Sequence, residues 1–219
     1  MTDAAGSAAN AGVMPVREGY DLDVAALERW MAENVEGYQG PLEVFQFRGG
    51  QSNPTYKLSA ASGEYVLRRQ PSGKLARGAH AIDREARVMA ALGTTDFPVA
   101  KVFGLCMDET VLGSIFFVME MVNGRIFWDA TFAEVAADER AAYFSEMNRV
   151  LARLHGLNYR ALGLSDFGPE GSYFERQISR WTKSYLADED AGRDPGMDRL
   201  IEWLPGAIPA TDETAIVHG

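Results

Sequence analysis

A glycine-rich loop, an arginine beside a valine on one face of a strand, and a glutamate inside a helix's apolar stripe could together bind an anion. The loop lies in the run Phe47 to Arg69, which reads FRGGQSNPTYKLSAASGEYVLRR. Gly49, Gly50, Ser52 and Asn53, with Gln51 among them, can bend tightly and offer backbone N–H groups to an anion. The same residues also suit an ordinary turn, because short glycine-rich loops are common. Beyond the loop, Thr55 to Ser59 alternates, with Tyr56 and Leu58 on one side and Thr55, Lys57 and Ser59 on the other. Gly63 supplies a turn. Tyr65 to Arg69 repeats the alternation, so Tyr65 and Leu67 share one face while Val66 and Arg68 share the other.

The glutamate sits on a helix expected from Ala79 to Leu92. Ile82, Met89 and Leu92 mark its apolar stripe, Ala86 lies at the edge, and Asp83, Arg84 and Arg87 fall opposite. Glu85 falls inside the stripe. A carboxylate facing a core needs a cation or strong donor, and Arg68 on a neighbouring strand is a candidate. Alternatively, Glu85 sits at the edge of a short helix and reaches water.

These residues need a frame to hold them. Asp21 or Asp23 can cap a helix carrying Val24, Leu27, Trp30 and Met31 and ending near Gly37. Strands are expected over Pro41 to Phe47, Thr55 to Ser59, Tyr65 to Arg69, Val102 to Met107 and Ile115 to Met121, the last two joined by a polar connection. That makes a five-stranded antiparallel sheet with one internal helix. Asn123 and Gly124 then break the pattern. Helices follow over Glu139 to His155, Tyr173 to Leu186 and Met197 to Leu204, with Tyr143, Met147, Leu151, Phe174 and Trp181 expected as core. Thr214 to Val217 turns β-like. The expected division is a solvated tail over 1–20, a sheet-rich lobe over 21–122 and an incomplete helical lobe over 123–219. A ligand cleft usually lies between such lobes.

The chain has 219 residues, 47% hydrophobic and 24% charged, the composition of a globular protein with a sizeable core. A net charge of −10 argues against nucleic-acid or anionic-membrane partners, which demand clustered positive potential. The single cysteine, Cys106, lies in an apolar run, so a reduced buried thiol in a cytoplasmic setting is expected. No apolar run reaches the roughly 20 residues of a membrane-spanning helix.

The order of phosphate loop, strand with a cation, helix with an inward glutamate, hinge and helical lobe is that of a protein-kinase-like α+β fold. The sequence resembles the aminoglycoside phosphotransferase family. Within it, the chain is similar to the branch that in animals occurs fused to acyl-CoA dehydrogenases. The motifs are FRGGQSNPTYKL, YVLRRQPSGKL, HAIDREARVMAAL, FFVMEMVNGRIF, LARLH, YFERQISRWTKSY, MDRLIEWLP and the closing IVHG, running from about Leu42 to the last residue.

The resemblance implies an ATP- and Mg²⁺-dependent kinase that moves the γ-phosphoryl group to a hydroxyl of a small metabolite, such as a hydroxyacyl-CoA. It makes Gly49 to Asn53 the loop over the nucleotide phosphates and pairs Arg68 with Glu85. Most kinase-like enzymes keep a lysine where this chain has Arg68, and the planar fork sits differently from an ammonium. Val66 and Met119 would line the adenine pocket, while the Glu120 carbonyl and the Val122 N–H would bond the base edge. The family's catalytic loop begins His-Gly-Asp, of which this sequence supplies His218 and Gly219. The catalytic aspartate, an asparagine and the Mg²⁺-binding aspartate are thus expected beyond residue 219, leaving an inactive fragment. Two other functions are a non-catalytic nucleotide-binding or interaction module and an aminoglycoside kinase.

Overall fold

Alternating apolar and polar residues over three consecutive segments produce the ladder at the centre of the structure, a computed structural model describing residues 12–49, 53–71, 81–127, 129–190, 192–211 and 213–218. Strands β2 (Glu43–Phe47), β3 (Thr55–Ala60) and β4 (Gly63–Arg69) run antiparallel, and Gly63 turns the β3–β4 hairpin at φ 135°, a value that side chains resist. Strands β5 (Val102–Cys106) and β6 (Phe116–Glu120) complete the expected set. The sheet has six strands and not five, because β1 (Val13–Met14) pairs with β2. A two-residue strand leaves no alternation to read, so this stretch resembled a solvated tail. The sheet order is β1-β2-β3-β4-β6-β5, antiparallel throughout.

Helix α1 (Val24–Asn34) begins where Asp23 accepts the Ala26 N–H at 2.9 Å, and it buries Leu27 and Met31 against one face of the sheet. Tyr56, Leu58, Leu67, Phe116 and Val118 meet them there, all fully buried. Trp30 of α1 stacks edge-on against Phe116 with centroids 4.8 Å apart, and it passes over Gly104. A Cβ at Gly104 would lie 2.9 Å from the Trp30 ring. Helix α2 (Ile82–Leu92) packs on the opposite face, where Ile82 and Ala86 meet Ile115 and Phe117. The expected first turn of this helix, 79–80, lies outside the described residues.

The segment ahead of α1 is strapped onto the sheet by groups far away in sequence. Arg17 donates its backbone N–H and Nε–H to Oε1 of buried Gln46, at 3.1 and 3.2 Å. The Tyr56 hydroxyl donates to the Tyr20 carbonyl at 2.8 Å, and Arg69 Nη1 donates to the Asp21 carbonyl at 3.4 Å. Burial pushes the Tyr56 phenol above its ordinary value, while neighbouring Arg69 opposes the rise.

After β6 the chain forms an aromatic cluster of Phe127, Phe132, Tyr143 and Phe144, with the Arg125 guanidinium over the Phe127 and Tyr143 rings. Helix α3 (Arg140–His155) follows. The chain divides into two compact units, 1–153 and 154–219, and the division falls within α3. The second unit holds α4 (Tyr173–Ala187), α5 (Pro195–Trp203) and a 3₁₀ turn, Leu204–Ala207. Asp194 caps α5 by accepting from Gly196 and Met197, with Pro195 in its first turn, a start signal two residues ahead of the expected one.

Two expectations fail in the helical part. Phe174 is 53% and Trp181 62% exposed, and Met147 and Leu151 of α3 are exposed as well, so these stripes are not core in this chain. Helical periodicity shows that a face is apolar, but not that something covers it. Thr214 to Val217 forms no strand, since β-prone residues need a partner ladder and none is offered among the described residues.

Candidate functional site

The register across β3, β4 and β6 decides which side chains share a face. Thr55 stands opposite Arg68 and Lys57 opposite Val66; across the next ladder Val66 meets Met119 and Arg68 meets Phe117. Directly opposed residues in an antiparallel pair point the same way. Val66, Arg68 and Met119 therefore share one face, and Tyr65, Leu67 and Arg69 the other. Arg68 and Arg69 are consecutive guanidiniums on opposite sides of one strand: Arg69 holds the strap, and Arg68 faces α2.

Arg68 meets the glutamate of α2. Its Nε lies 3.1 Å from Glu85 Oε1, with the side chains 26% and 36% exposed. Of the two readings of Glu85, this is the geometry of the ion pair. Glu85 sits one turn into α2, between buried Ile82 and Ala86, so packing of that stripe against Phe117 carries the carboxylate to the sheet. At this exposure the pair contributes on the order of 1 kcal/mol or less to stability. The Arg68 Nε is buried and its N–H is not aligned as a hydrogen bond, so its contact with Glu85 is an electrostatic one.

On this face helix α2 packs on β5 and β6. Thr55 and Lys57 stand on the β3 half of the face, two strands from β6. The glycine-rich loop leads into that half: Gly49 is half-buried just after β2, and Asn53 precedes β3, its carbonyl accepting from the Thr55 hydroxyl at 3.1 Å. Gly50, Gln51 and Ser52 lie outside the described residues.

At the end of β6, Glu120 is tied to Lys101: its N–H donates to the Lys101 carbonyl at 2.8 Å and its Oε2 accepts the Lys101 N–H at 3.1 Å. Val122, two residues on, is 62% exposed. His218 is exposed in an irregular segment of the second unit, and Gly219 lies outside the described residues. A concavity of about 330 Å³ in the second unit is lined by Ile178, Thr182, Ile201 and Pro205, and none of the expected site residues borders it. Among the described residues no cluster of three His, Cys, Asp or Glu could hold a metal ion, and no helix is long and apolar enough to cross a membrane. Cys106 is a free buried thiol.

Sequence reasoning placed Lys57 on the same face as Thr55 but gave it no role. The paired registers, which one strand's alternation does not fix, set it beside Val66 and Arg68. Arg69 and Gln46 were missed as buried polar groups, since only the strap explains their burial.

Residues 43–219 match the phosphotransferase enzyme family. The chain is 42% identical over 229 residues to the Arabidopsis thaliana protein named probable acyl-CoA dehydrogenase IBR3, spanning 98% of this chain and 28% of that protein. It is 41% identical to mouse acyl-CoA dehydrogenase family member 10, over 94% of this chain and 19% of that protein. For mouse acyl-CoA dehydrogenase family member 11 the identity is 42%, over 91% and 26%. The chain thus spans less than a third of the length of these curated relatives. A Ralstonia eutropha crystal structure, assigned by name only as an aminoglycoside phosphotransferase, superposes with a TM-score of 0.75 at 49% identity. The match covers 87% of this chain and 55% of that one.

Proposed function

The chain belongs to the phosphotransferase enzyme family, with its kinase-like α+β fold, and we propose that residues 21–122 are its nucleotide-binding lobe and 123–219 part of its helical lobe. The observation that carries this reading is the Arg68–Glu85 pair on the sheet face, with Arg68 opposite Thr55 at the start of β3, where the glycine-rich segment enters the strand. Arg68 and the backbone of Gly49 to Asn53 bind the phosphates of ATP, and Glu85 holds the guanidinium in place as they arrive. Val66 and Met119 give the adenine an apolar bed, and the backbone of Glu120 and Val122 reads its edge. When bound, ATP supplies the γ-phosphoryl group that passes to an acceptor hydroxyl.

Arg68 fits this role because Glu85 holds its partly exposed side chain on this face and its planar fork can grip two phosphate oxygens. For Mg²⁺ the described residues offer no ligand set, so no step is assigned to the metal. The relatives are named for acyl-CoA chemistry, and a hydroxyacyl-CoA-like metabolite, which carries the hydroxyl an acceptor needs, is the acceptor in this proposal.

Thermal unfolding with and without nucleotide tests the binding half of the proposal. ATP at 100 times its dissociation constant should stabilise the folded chain by about 2.7 kcal/mol. Arg68→Ala should remove most of that gain. An unfolding temperature indifferent to ATP would overturn the proposal.

A further inference from the structure

Lys57 stands in the same position relative to this face as Arg68, one row along the ladder. Thr55 opposes Arg68 and Lys57 opposes Val66, so the two cations are diagonal neighbours, with α-carbons about 7–8 Å apart. Long side chains at that separation can reach one ligand. The Lys57 side chain is 23% exposed. Its ammonium contacts the carboxylate of Glu64, which lies on the same side of the sheet opposite Ser59. Each cation of the face is thus held by a carboxylate that is itself partly exposed, Glu64 at 42% and Glu85 at 36%.

The geometry points to Lys57 as a second phosphate-binding cation of the nucleotide site, with Glu64 holding its place when the site is empty. The assignment rests on the reading under Proposed function. The Lys57–Val66 row lies farther from the glycine-rich loop than the Thr55–Arg68 row. Arg68 therefore meets the outer phosphates, and Lys57 meets the α-phosphate, next to the sugar and the base over Val66. The chemistry divides accordingly. An ammonium is a compact point charge that can follow a single phosphate, whereas the guanidinium fork grips a pair of oxygens. Phosphate oxygens, with their greater negative charge, replace the Glu64 carboxylate at the ammonium without a new buried charge.

Calorimetric titration of adenosine, AMP and ADP into the parent chain, K57A, K57R, E64Q and R68A separates the roles. K57A should bind AMP and ADP about tenfold or more weakly while adenosine binding stays unchanged. K57R should keep most of the affinity, E64Q should bind AMP at least as well as the parent, and R68A should lose affinity chiefly for ADP. If K57A fails to fold, K57Q gives the same readout. AMP and ADP binding by K57A at the parent's affinity, while R68A is weakened for ADP, would overturn the Lys57 assignment alone. An equal loss for adenosine would do the same, since it makes Lys57 a purely structural residue. If the parent binds no adenine nucleotide, the nucleotide-site reading itself fails and takes Lys57 with it.

Discussion

The two faces of the central sheet are built from the same strands and differ in almost everything else. On one, Tyr56, Leu67, Phe116 and Val118 lie fully buried under α1, and the strap ties down the nearby end. On the other, α2 packs on β5 and β6, and the cations have partly exposed carboxylate partners. The first face carries stability, and the second carries recognition in the function proposed above. A period of two is enough to separate them, since neighbouring residues such as Leu67 and Arg68 go to opposite sides.

The contrast breaks most visibly at Leu67. Leu67→Ala should destabilise the chain by about 2–5 kcal/mol, the cost of a core cavity, read as a fall in the denaturation midpoint. The counterpart on the other face, Arg68→Met, should shift that midpoint by about 1 kcal/mol or less, because it removes only a partly exposed ion pair. Equal losses from the two variants would erase the distinction between faces. Gly104→Ala probes the packed side from the opposite direction. The added methyl collides with the Trp30 ring at 2.9 Å, so a loss of about 1–3 kcal/mol is expected, and pairing it with Trp30→Leu should restore part of it.

The smallest effect concerns pH. Burial raises the Cys106 thiol above its ordinary value of 9.0. The folded state therefore favours the protonated thiol. Its contribution to stability is complete below pH 9.0 and is lost as the pH climbs through the raised folded value. Cys106→Ala should flatten the alkaline limb of the stability profile, whereas an unchanged limb would mean the thiol does not titrate against folding.

The strands of both faces were legible because alternation is written locally: the β3 and β4 segments can be read to within one or two residues of their ends. Glu85 was half-legible. Its place in an apolar stripe demanded a partner, but only the docking of α2 on Phe117 says that Arg68 is close enough. Strand β1 was invisible because two residues carry no period, and Arg69 because its burial depends on a carbonyl 48 positions earlier. The exposed aromatics of α4 belong to a correctly read apolar stripe, whose cover is something periodicity does not specify.

The strap has a consequence for the order of folding. Its hydrogen bonds span 29, 36 and 48 positions, from Arg17 to Gln46, Tyr20 to Tyr56 and Asp21 to Arg69. Each needs its own sheet-side partner in place: Gln46 on β2, Tyr56 on β3 and Arg69 on β4. Contacts of such sequence separation close late and carry a larger loop-closure cost than the hairpins they join. The segment from Val13 to Asp21 therefore closes after the β2–β3 and β3–β4 hairpins, as does the equally long-range β4–β6 pairing, and from its place at the sheet edge it is the first to fray. Amide protons there should exchange through local opening while those of β4 wait for global unfolding.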